Sequence, residues 1–308
     1  MENTSYFGEL HILPFAARHQ DKPFLFSLFL CIYTSGVLVN VTSIAVIYLD
    51  TRLHNPMYLF LSMLSMVDIC YTTVIIPMLL DMLFSTGNKV SLTQCFTQMF
   101  FFFMACGAED IIMFIMAYDR YVAICSPLHY TQIFSQKNCL LIAIAIWITG
   151  ALNSFLFTMS ASNMSFCRSN TIQHIYCDSK ALTKIACVGT ELFYVVMYLE
   201  LLVFGVGSFV CSLTSYIKIL SVILRMKSED GRIKVFSTCS SHLAVLLLYY
   251  STGVSAFLIP SSEQSYLLDQ IFTALYSTLT PILNPLIYSL RNNDVKRALL
   301  RLLGVHKR

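Results

Sequence analysis

The stretch Met116-Ala-Tyr-Asp-Arg-Tyr-Val-Ala-Ile-Cys125 places Asp119, Arg120 and Tyr121 at the end of a long apolar run, which begins just after Cys95. From Cys95 to Arg120 is 25 residues, and a helix of that length is about 37 Å long. The hydrocarbon core of a bilayer is about 30 Å thick. The run therefore predicts a helix that crosses a membrane, with a cysteine at one face and an ionic group at the other.

The composition of the whole chain agrees with a membrane protein. Of its 308 residues 56% are hydrophobic and 12% are charged, and its mean hydropathy is +0.68, which is too apolar for a soluble domain of this size. Seven apolar windows are each close to the length of about 20 residues that a spanning helix needs. These windows are residues 24–48, 56–80, 95–117, 139–159, 192–217, 234–259 and 267–290. The predicted fold class is an all-α membrane protein, a seven-transmembrane helix bundle.

The distribution of Lys and Arg orients this single domain, residues 1–308, in the membrane. When the N-terminus is placed outside, 14 of the 20 basic residues fall in inner segments and 6 in outer segments, as the positive-inside rule requires. The net charge of +3 therefore reflects topology, and no nucleic-acid partner is expected. The domain then consists of an extracellular tail (1–23), the helix bundle (24–290) and a cytoplasmic tail (291–308) that forms a short amphipathic helix.

The outer side of the chain carries two kinds of modification signal. Asn3-Thr-Ser5 is a glycosylation sequon. Four of the 11 cysteines fall on this side, where disulfides persist because the compartment is oxidising; they are Cys95, Cys167, Cys177 and Cys187. Four cysteines allow three pairings, and their spacing alone does not select one.

Two carboxyl groups are predicted near the middle of the membrane. Asp68 is central in its window, and Glu109 lies 11 residues before Arg120, about 16 Å along the helix. Such groups must be protonated, paired or share a cation. Asp110 is a second acid beside Glu109, and it either extends this network or faces a ligand.

Three helical faces are candidates for the wall of a mostly apolar ligand pocket, with helix–helix packing as the alternative for each residue. In the third window Met99, Phe102, Phe103, Cys106 and Asp110 share one face because they follow helical spacing. Similar faces in the fifth and sixth windows consist of Val196, Glu200 and Phe204, and of Tyr250, Val254 and Phe257. Glu200 either selects a hydrogen-bond donor or an amine, or forms an interhelical hydrogen bond. Because the set contains no Lys or Arg, carboxylic acids are expected to be poor ligands.

Six motifs run in order from the first inner loop to the C-terminal tail. They are Leu53-His-Asn-Pro-Met-Tyr58, the Met116–Cys125 stretch, Pro127-Leu-His-Tyr130, Ser215-Tyr216, Phe236-Ser-Thr-Cys-Ser-Ser-His-Leu243 and Pro281-Ile-Leu-Asn-Pro-Leu-Ile-Tyr-Ser-Leu-Arg-Asn292. Together they resemble the odorant receptors of the rhodopsin-like G-protein-coupled class, and the run from Phe236 separates these from other receptors of the class. The chain departs from the family pattern at Val39-Asn40, Lys234-Val235 and Tyr250-Ser251, and it lacks the usual Asn-Glu pair at the start of the fifth window.

The resemblance implies a receptor of the plasma membrane that serves the sense of smell. It implies a small organic odorant as ligand and a heterotrimeric G protein of the stimulatory olfactory type, which raises cyclic AMP. Membrane lipids are the other expected partners, and no cofactor is required.

The resemblance also implies roles for particular residues. Cys95 is expected to pair with Cys177, which leaves Cys167 to pair with Cys187. The expected contact with the G protein is Arg120, beside Asp119 and Tyr121, and the expected activation switch consists of Tyr216, Asn284, Pro285 and Tyr288. A sodium site at Asp68 and Glu109, with Asn284 close by, is also implied, and protonated carboxyls are the alternative. The family's pocket positions are the candidate face residues given above.

Other classes of protein fit the sequence less well. A retinal photoreceptor needs a Schiff-base lysine in the last window, and residues 267–290 contain none. An aminergic receptor usually has an Asp where this chain has Phe102. A secondary transporter usually shows internal repeats and paired broken helices, which are not visible here. No nucleophile–base pair, phosphate loop or zinc-binding spacing indicates an enzyme.

Overall fold

The computed structural model of the chain describes residues 8–15, 20–85, 89–258, 266–291, 293–302 and 304. Within the helices it does not describe the side chains at positions 230, 234, 236–238, 241, 252, 254–258, 266, 288–291 and 293. The predicted glycosylation site Asn3 and the side chains of Val254, Phe257 and Tyr288 therefore lie outside the described part.

Helices make up most of the described chain. They are α1 (Lys22–Leu49), α2 (Pro56–Phe84), α3 (Leu92–Cys125), α4 (Tyr130–Ile133), α5 (Gln136–Ser162), α6 (Ser179–Ile185), α7 (Thr190–Glu200), α8 (Ser208–Arg225), α9 (Glu229–Leu258), α10 (Tyr266–Arg291) and α11 (Asn293–Leu302). A π-helical segment, Leu201–Gly207, joins α7 and α8 into one span of 36 residues. Short 3-10 turns follow α1 at Thr51–Leu53 and α3 at Pro127–His129.

Seven long helices form the bundle in the described part of the chain. By length and composition α1, α2, α3, α5 and the α7–α8 span are each able to cross a membrane. The helices α9 and α10, of 30 and 26 residues, pack against each other, and α10 also packs against α1 and α2. Apolar side chains cover the outside, as at Leu38 and Leu140, which are 66% and 61% exposed. Lipid rather than water suits such a surface.

Capping residues fix where several of these helices begin. At α2 the Asn55 side chain accepts from the Tyr58 backbone N–H at 3.4 Å, and Pro56 follows at the first helical position, where its missing N–H costs nothing. At α3 Ser91 and Gln94 form a capping box, with contacts of 3.2 Å and 3.0 Å. The motif Leu53–Tyr58 is thus a helix start as well as a family marker.

Helix α3 lies at the centre of the bundle and packs against α2, α5, α8 and α9. Its contact with α5 is close at Gly150, where an added Cβ would lie 2.9 Å from the Met104 carbonyl oxygen. Because α3 packs against four other helices, its side chains face the interior of the bundle in both the outer half and the inner half.

Small sheets and two disulfides cover the end of the bundle that the sequence predicts to be the outer one. Strand β1 (Glu9–Ile12) lies between β2 (Lys89–Ser91), to which it is antiparallel, and β4 (Thr171–Ile172), to which it is parallel. Strands β3 (Ser165–Phe166) and β5 (Ala186–Val188) form an antiparallel pair. The disulfides join Cys95 to Cys177 and Cys167 to Cys187, with Cα–Cα distances of 5.4 Å and 5.9 Å, which are the pairs that the resemblance implied. The tail predicted as 1–23 therefore contains a strand that ties it to two outer loops, and α1 begins at Lys22.

Candidate functional site

A cavity of about 260 Å³, here called the outer cavity, lies between α3, the α7–α8 span and α10, and the loop between α5 and α7 also contributes to its wall. Its described lining residues are Phe102, Phe103, Cys106, Asp110, Phe157, His174, Tyr176, Asp178, Ser179, Lys180, Met197, Glu200, Leu201, Phe204, Gly205, Gly253, Asp269, Thr273 and Tyr276. Pockets for drug-sized ligands measure about 300–1,000 Å³. The outer cavity therefore suits a small molecule.

Of the eleven residues on the three predicted faces, five line this cavity in addition to Asp110. They are Phe102, Phe103, Cys106, Glu200 and Phe204. Asp110, whose direction the sequence left open, lines the same cavity, and its charge also acts on the neighbouring Glu109. One face of α3 thus lines the cavity over about two turns.

Two predicted contacts lie elsewhere in the described structure. Met99 is 1% exposed and packs in the outer core around the Cys95 disulfide, because it follows that cysteine by about one helical turn. The Tyr250 hydroxyl lies 3.0 Å from the Ser208 hydroxyl, and the Tyr250 ring lines a separate groove between α8 and α9. On α9 it is the preceding residue, Tyr249, that points inward and reaches α3.

The sequence reasoning missed the part of the wall that the outer loop supplies. His174, Tyr176, Asp178 and Lys180 flank or follow Cys177, and its disulfide brings them over the helices. Gln98 fixes the same loop, because its Oε1 accepts from the Cys177 backbone N–H at 3.0 Å. The implied Cys95–Cys177 pair was the signal for these residues, since neighbours of Cys177 must lie near the outer end of α3. The presence of Lys180 also corrects the expectation that the cavity wall has no basic residue.

Two acids face the deep part of the outer cavity. The Tyr249 hydroxyl donates to Asp110 Oδ1 at 2.9 Å, and Asn153 Nδ2 donates to Glu200 Oε1 at 3.0 Å. Both bonds join different helices, so the interhelical alternative for Glu200 is observed together with a place on the cavity wall. Asp110 thus connects α3 to α9, and Glu200 connects the α7–α8 span to α5.

A polar network lies below the cavity in the middle of the bundle. Asn284 Nδ2 donates to both oxygens of Asp68, at 3.2 Å and 3.3 Å. Glu109 Oε1 and Asn284 Oδ1 are buried and have no hydrogen-bond partner among the described residues. Asn40 Nδ2 donates to the Pro281 carbonyl at 2.8 Å; Pro281 and Pro285 both lie inside α10. In the described chain no three His, Cys, Asp or Glu side chains converge as a metal site.

At the inner end of α3, Asp119 is fully buried and holds two partners. Arg120 Nε donates to Asp119 Oδ2 at 2.7 Å, and the Tyr130 hydroxyl donates to Asp119 Oδ1 at 2.8 Å. Burial, and then the negative charge of Asp119, raise the pKa of Tyr130, so this hydroxyl keeps its proton and remains a donor. Tyr130 belongs to the Pro127–Tyr130 motif, but the sequence assigned it no role in the site.

The other predicted switch residues lie near this inner end or above it. The Tyr216 hydroxyl lies 2.7 Å from His242 Nδ1 and so joins α8 to α9. The Lys218 ammonium lies 5.2 Å from the centre of the Tyr121 ring, a cation–π contact between α8 and α3.

Helix α11 forms in the predicted tail and docks on the first inner loop. Arg301 Nε donates to Asp50 Oδ2 at 3.0 Å, and this hydrogen bond lowers the pKa of Asp50. The Tyr58 hydroxyl donates to Asp294 Oδ2 at 3.3 Å. These bonds hold the tail helix against the inner ends of α1 and α2.

Comparison with solved structures shows that the bundle shares the fold of a rhodopsin. The crystal structure of squid rhodopsin matches with a TM-score of 0.73 over 94% of this chain and 87% of that chain, at 14% sequence identity. At this identity the match concerns the fold alone. It confirms the predicted class of helix bundle.

Comparison of sequences then gives the family. The family model described as olfactory receptor matches residues 29–306. Olfactory receptor 1E16 of Mus musculus is 42% identical over 94% of this chain and 91% of its own length. Olfactory receptor 1F1 of Homo sapiens is 40% identical over 98% of this chain and 97% of its own length. The chain belongs to the olfactory receptor family, whose members are signalling receptors in membranes and not enzymes.

Proposed function

We propose that this chain is an odorant receptor of the plasma membrane, with its N-terminus outside and its C-terminal tail in the cytoplasm. A small organic ligand binds in the outer cavity and activates a heterotrimeric G protein of the stimulatory olfactory type, which raises cyclic AMP. The observation that carries the proposal is the arrangement along α3. Its outer part lines the cavity at Phe102 and Asp110, and its inner part holds the Asp119–Arg120 pair.

Helix α9 offers a physical connection between the two ends. Its outer part contacts the cavity wall through the Tyr249–Asp110 bond, and its inner part contacts α8 through the bond between His242 and Tyr216. A ligand that binds one arrangement of Asp110 better than another shifts the population of α9 positions. Release of Arg120 from Asp119 at the inner end then exposes its guanidinium to the G protein.

A sodium ion at Asp68 and Glu109 belongs to the same proposal. Two observations support the fit: the unpartnered buried oxygens Glu109 Oε1 and Asn284 Oδ1, and the Asn284 amide that already holds Asp68. Hard cations bind oxygen ligands of this kind. When bound, the ion would supply positive charge between two acids that otherwise repel each other.

The proposed function is tested with the full-length receptor in cells that carry a cyclic-AMP reporter. Wild type, Arg120→Ala and the control Arg168→Ala, at an exposed position of the outer loop, are compared at matched surface expression with a panel of odorants. Wild type and Arg168→Ala are expected to respond to the same odorants, and Arg120→Ala is expected to lose the response. Normal signalling by Arg120→Ala would contradict the role of the inner-end pair. A response through another second messenger, without cyclic AMP, would contradict the type of G protein.

A further inference from the structure

We infer that the outer cavity recognises a small molecule with a protonated amine, which binds between Asp110 and Glu200. This inference rests on the proposed function, because it names the ligand class of the same cavity. The amine forms ion pairs with the two carboxylates, and the rest of the ligand packs against the aromatic wall of α3 and the α7–α8 span.

Among the described residues, the carboxyl groups of Asp110 and Glu200 have neutral hydrogen-bond donors and no positively charged partner. Each is held by a neutral donor, the Tyr249 hydroxyl for Asp110 and the Asn153 amide for Glu200. An ionised carboxylate offers two oxygens with about four acceptor positions. No described Lys or Arg forms an ion pair with either acid, since the described pairs join other residues. A bound cation supplies the charge that these two groups lack.

Because Asp110 and Glu200 line one cavity, a single bound cation can pair with both. Asp110 and Glu200 line the same space of about 260 Å³, and a negative charge on Glu200 acts on Asp110. Two negative charges in an apolar site repel, and a cation between them removes that repulsion. With a neutral ligand only the binding of a proton by one of the acids relieves the repulsion, and an anionic ligand adds to it.

A second and independent observation on the cavity wall also points to a ligand that donates hydrogen bonds. His174 lines the outer cavity, is 2% exposed, and its Nδ1 has no hydrogen-bond partner among the described residues. A buried polar atom without a partner is costly. In the tautomer with the proton on Nε2, His174 Nδ1 accepts a hydrogen bond from a ligand group at the outer end of the cavity.

The outer end is less suited to an anion than the presence of Lys180 suggests. Lys180 shares this part of the wall with two acids, Asp178 and Asp269, and its charge already acts on Asp269. Phe102 stands where an aminergic receptor usually has an Asp, so an amine cannot form an ion pair there. In this chain the amine binds Asp110, which lies about two turns, or about 12 Å, further along α3. The ligand must therefore be compact, with the amine at its inner end and its apolar body beside Phe102, Phe103 and Phe204.

The test uses three probes that share one ring and differ in one group: cyclohexylmethylamine, cyclohexylmethanol and cyclohexanecarboxylic acid. Each is measured by the cyclic-AMP response in cells and by the shift in melting temperature of the purified full-length receptor. The variants are Glu200→Gln and Asp110→Asn, whose amide oxygens still accept from Asn153 and Tyr249. The control is Glu191→Gln, an exposed acid in the first turn of α7.

The amine is expected to be the strongest ligand of wild type and of Glu191→Gln. Hydrogen bonds to a charged group contribute about 1.5–3 kcal/mol, so each cavity variant should weaken the amine roughly tenfold or more and leave the alcohol almost unchanged. A stronger effect of the alcohol or the acid on wild type, or an unchanged amine response in both variants, would overturn the inference while the receptor function stands. An amine that raises the melting temperature without any cyclic-AMP response would support the ligand class and contradict the proposed coupling.

Discussion

The hydrogen bond from Tyr130 to Asp119 gives the sharpest test of how the inner end is held. Tyr130→Phe removes one hydroxyl, and the ring that packs 5.5 Å from the ring of Phe134 remains. Asp119 is fully buried, so its Oδ1 would lose its partner in the arrangement in which Arg120 pairs with Oδ2. A bond of this kind to a charged group contributes about 1.5–3 kcal/mol. The arrangement in which Arg120 pairs with Asp119 should therefore lose roughly tenfold or more in population relative to the arrangement in which Arg120 is released.

The expected result of Tyr130→Phe is a higher cyclic-AMP level without odorant, measured at matched surface expression. The control is Tyr48→Phe, because Tyr48 lies near the inner end of α1 and is 78% exposed. Its hydroxyl should have no part in the network, and basal signalling should stay at the wild-type level. A basal level for Tyr130→Phe that equals or falls below that of wild type would refute the reasoning.

Two further predictions concern the middle and the packing of the bundle. Asp68→Asn and Glu109→Gln are each expected to change the sodium dependence of the odorant dose–response curve in the same direction; a sodium response that survives in the double variant would favour protonated carboxyls instead. Gly150→Ala should lower the melting temperature of the purified receptor, because its Cβ would lie 2.9 Å from the Met104 carbonyl oxygen and such overpacking costs about 1–3 kcal/mol. Gly107→Ala on the same interface is the control, since its nearest contact would be 3.6 Å and no loss is expected; equal melting temperatures for the two variants would contradict the packing argument.

The helices and their order were predictable from local signals. Apolar windows of about 20 residues require helices in a membrane, because every backbone polar group must be satisfied within the segment. Each of the seven windows overlaps a long helix of the described structure. Cap residues such as Asn55 and Ser91 mark where α2 and α3 begin, and they act within a few residues along the chain.

The cavity was predictable only in part, because its wall combines helix faces with a loop. The face of α3 from Phe102 to Asp110 follows from helical spacing alone. The rotation of α9 does not, and the prediction therefore chose Tyr250, where the structure turns Tyr249 inward to Asp110. Adjacent residues on a helix differ by about 100°, so an error of one residue in the assigned face exchanges one tyrosine for the other.

The sequence by itself determined the membrane class, the seven helices, the family, and the positions of Glu109 and of the Asp119–Arg120 pair along α3, since these depend on composition and on motifs and spacing within single segments. Only the tertiary structure decided which groups meet across segments. It brought Tyr130 to Asp119, Asn153 to Glu200 and the loop around Cys177 over the outer cavity. Contacts of this kind depend on the rotation and depth of each helix and on the path of a loop, and those are set by the packing of the whole bundle.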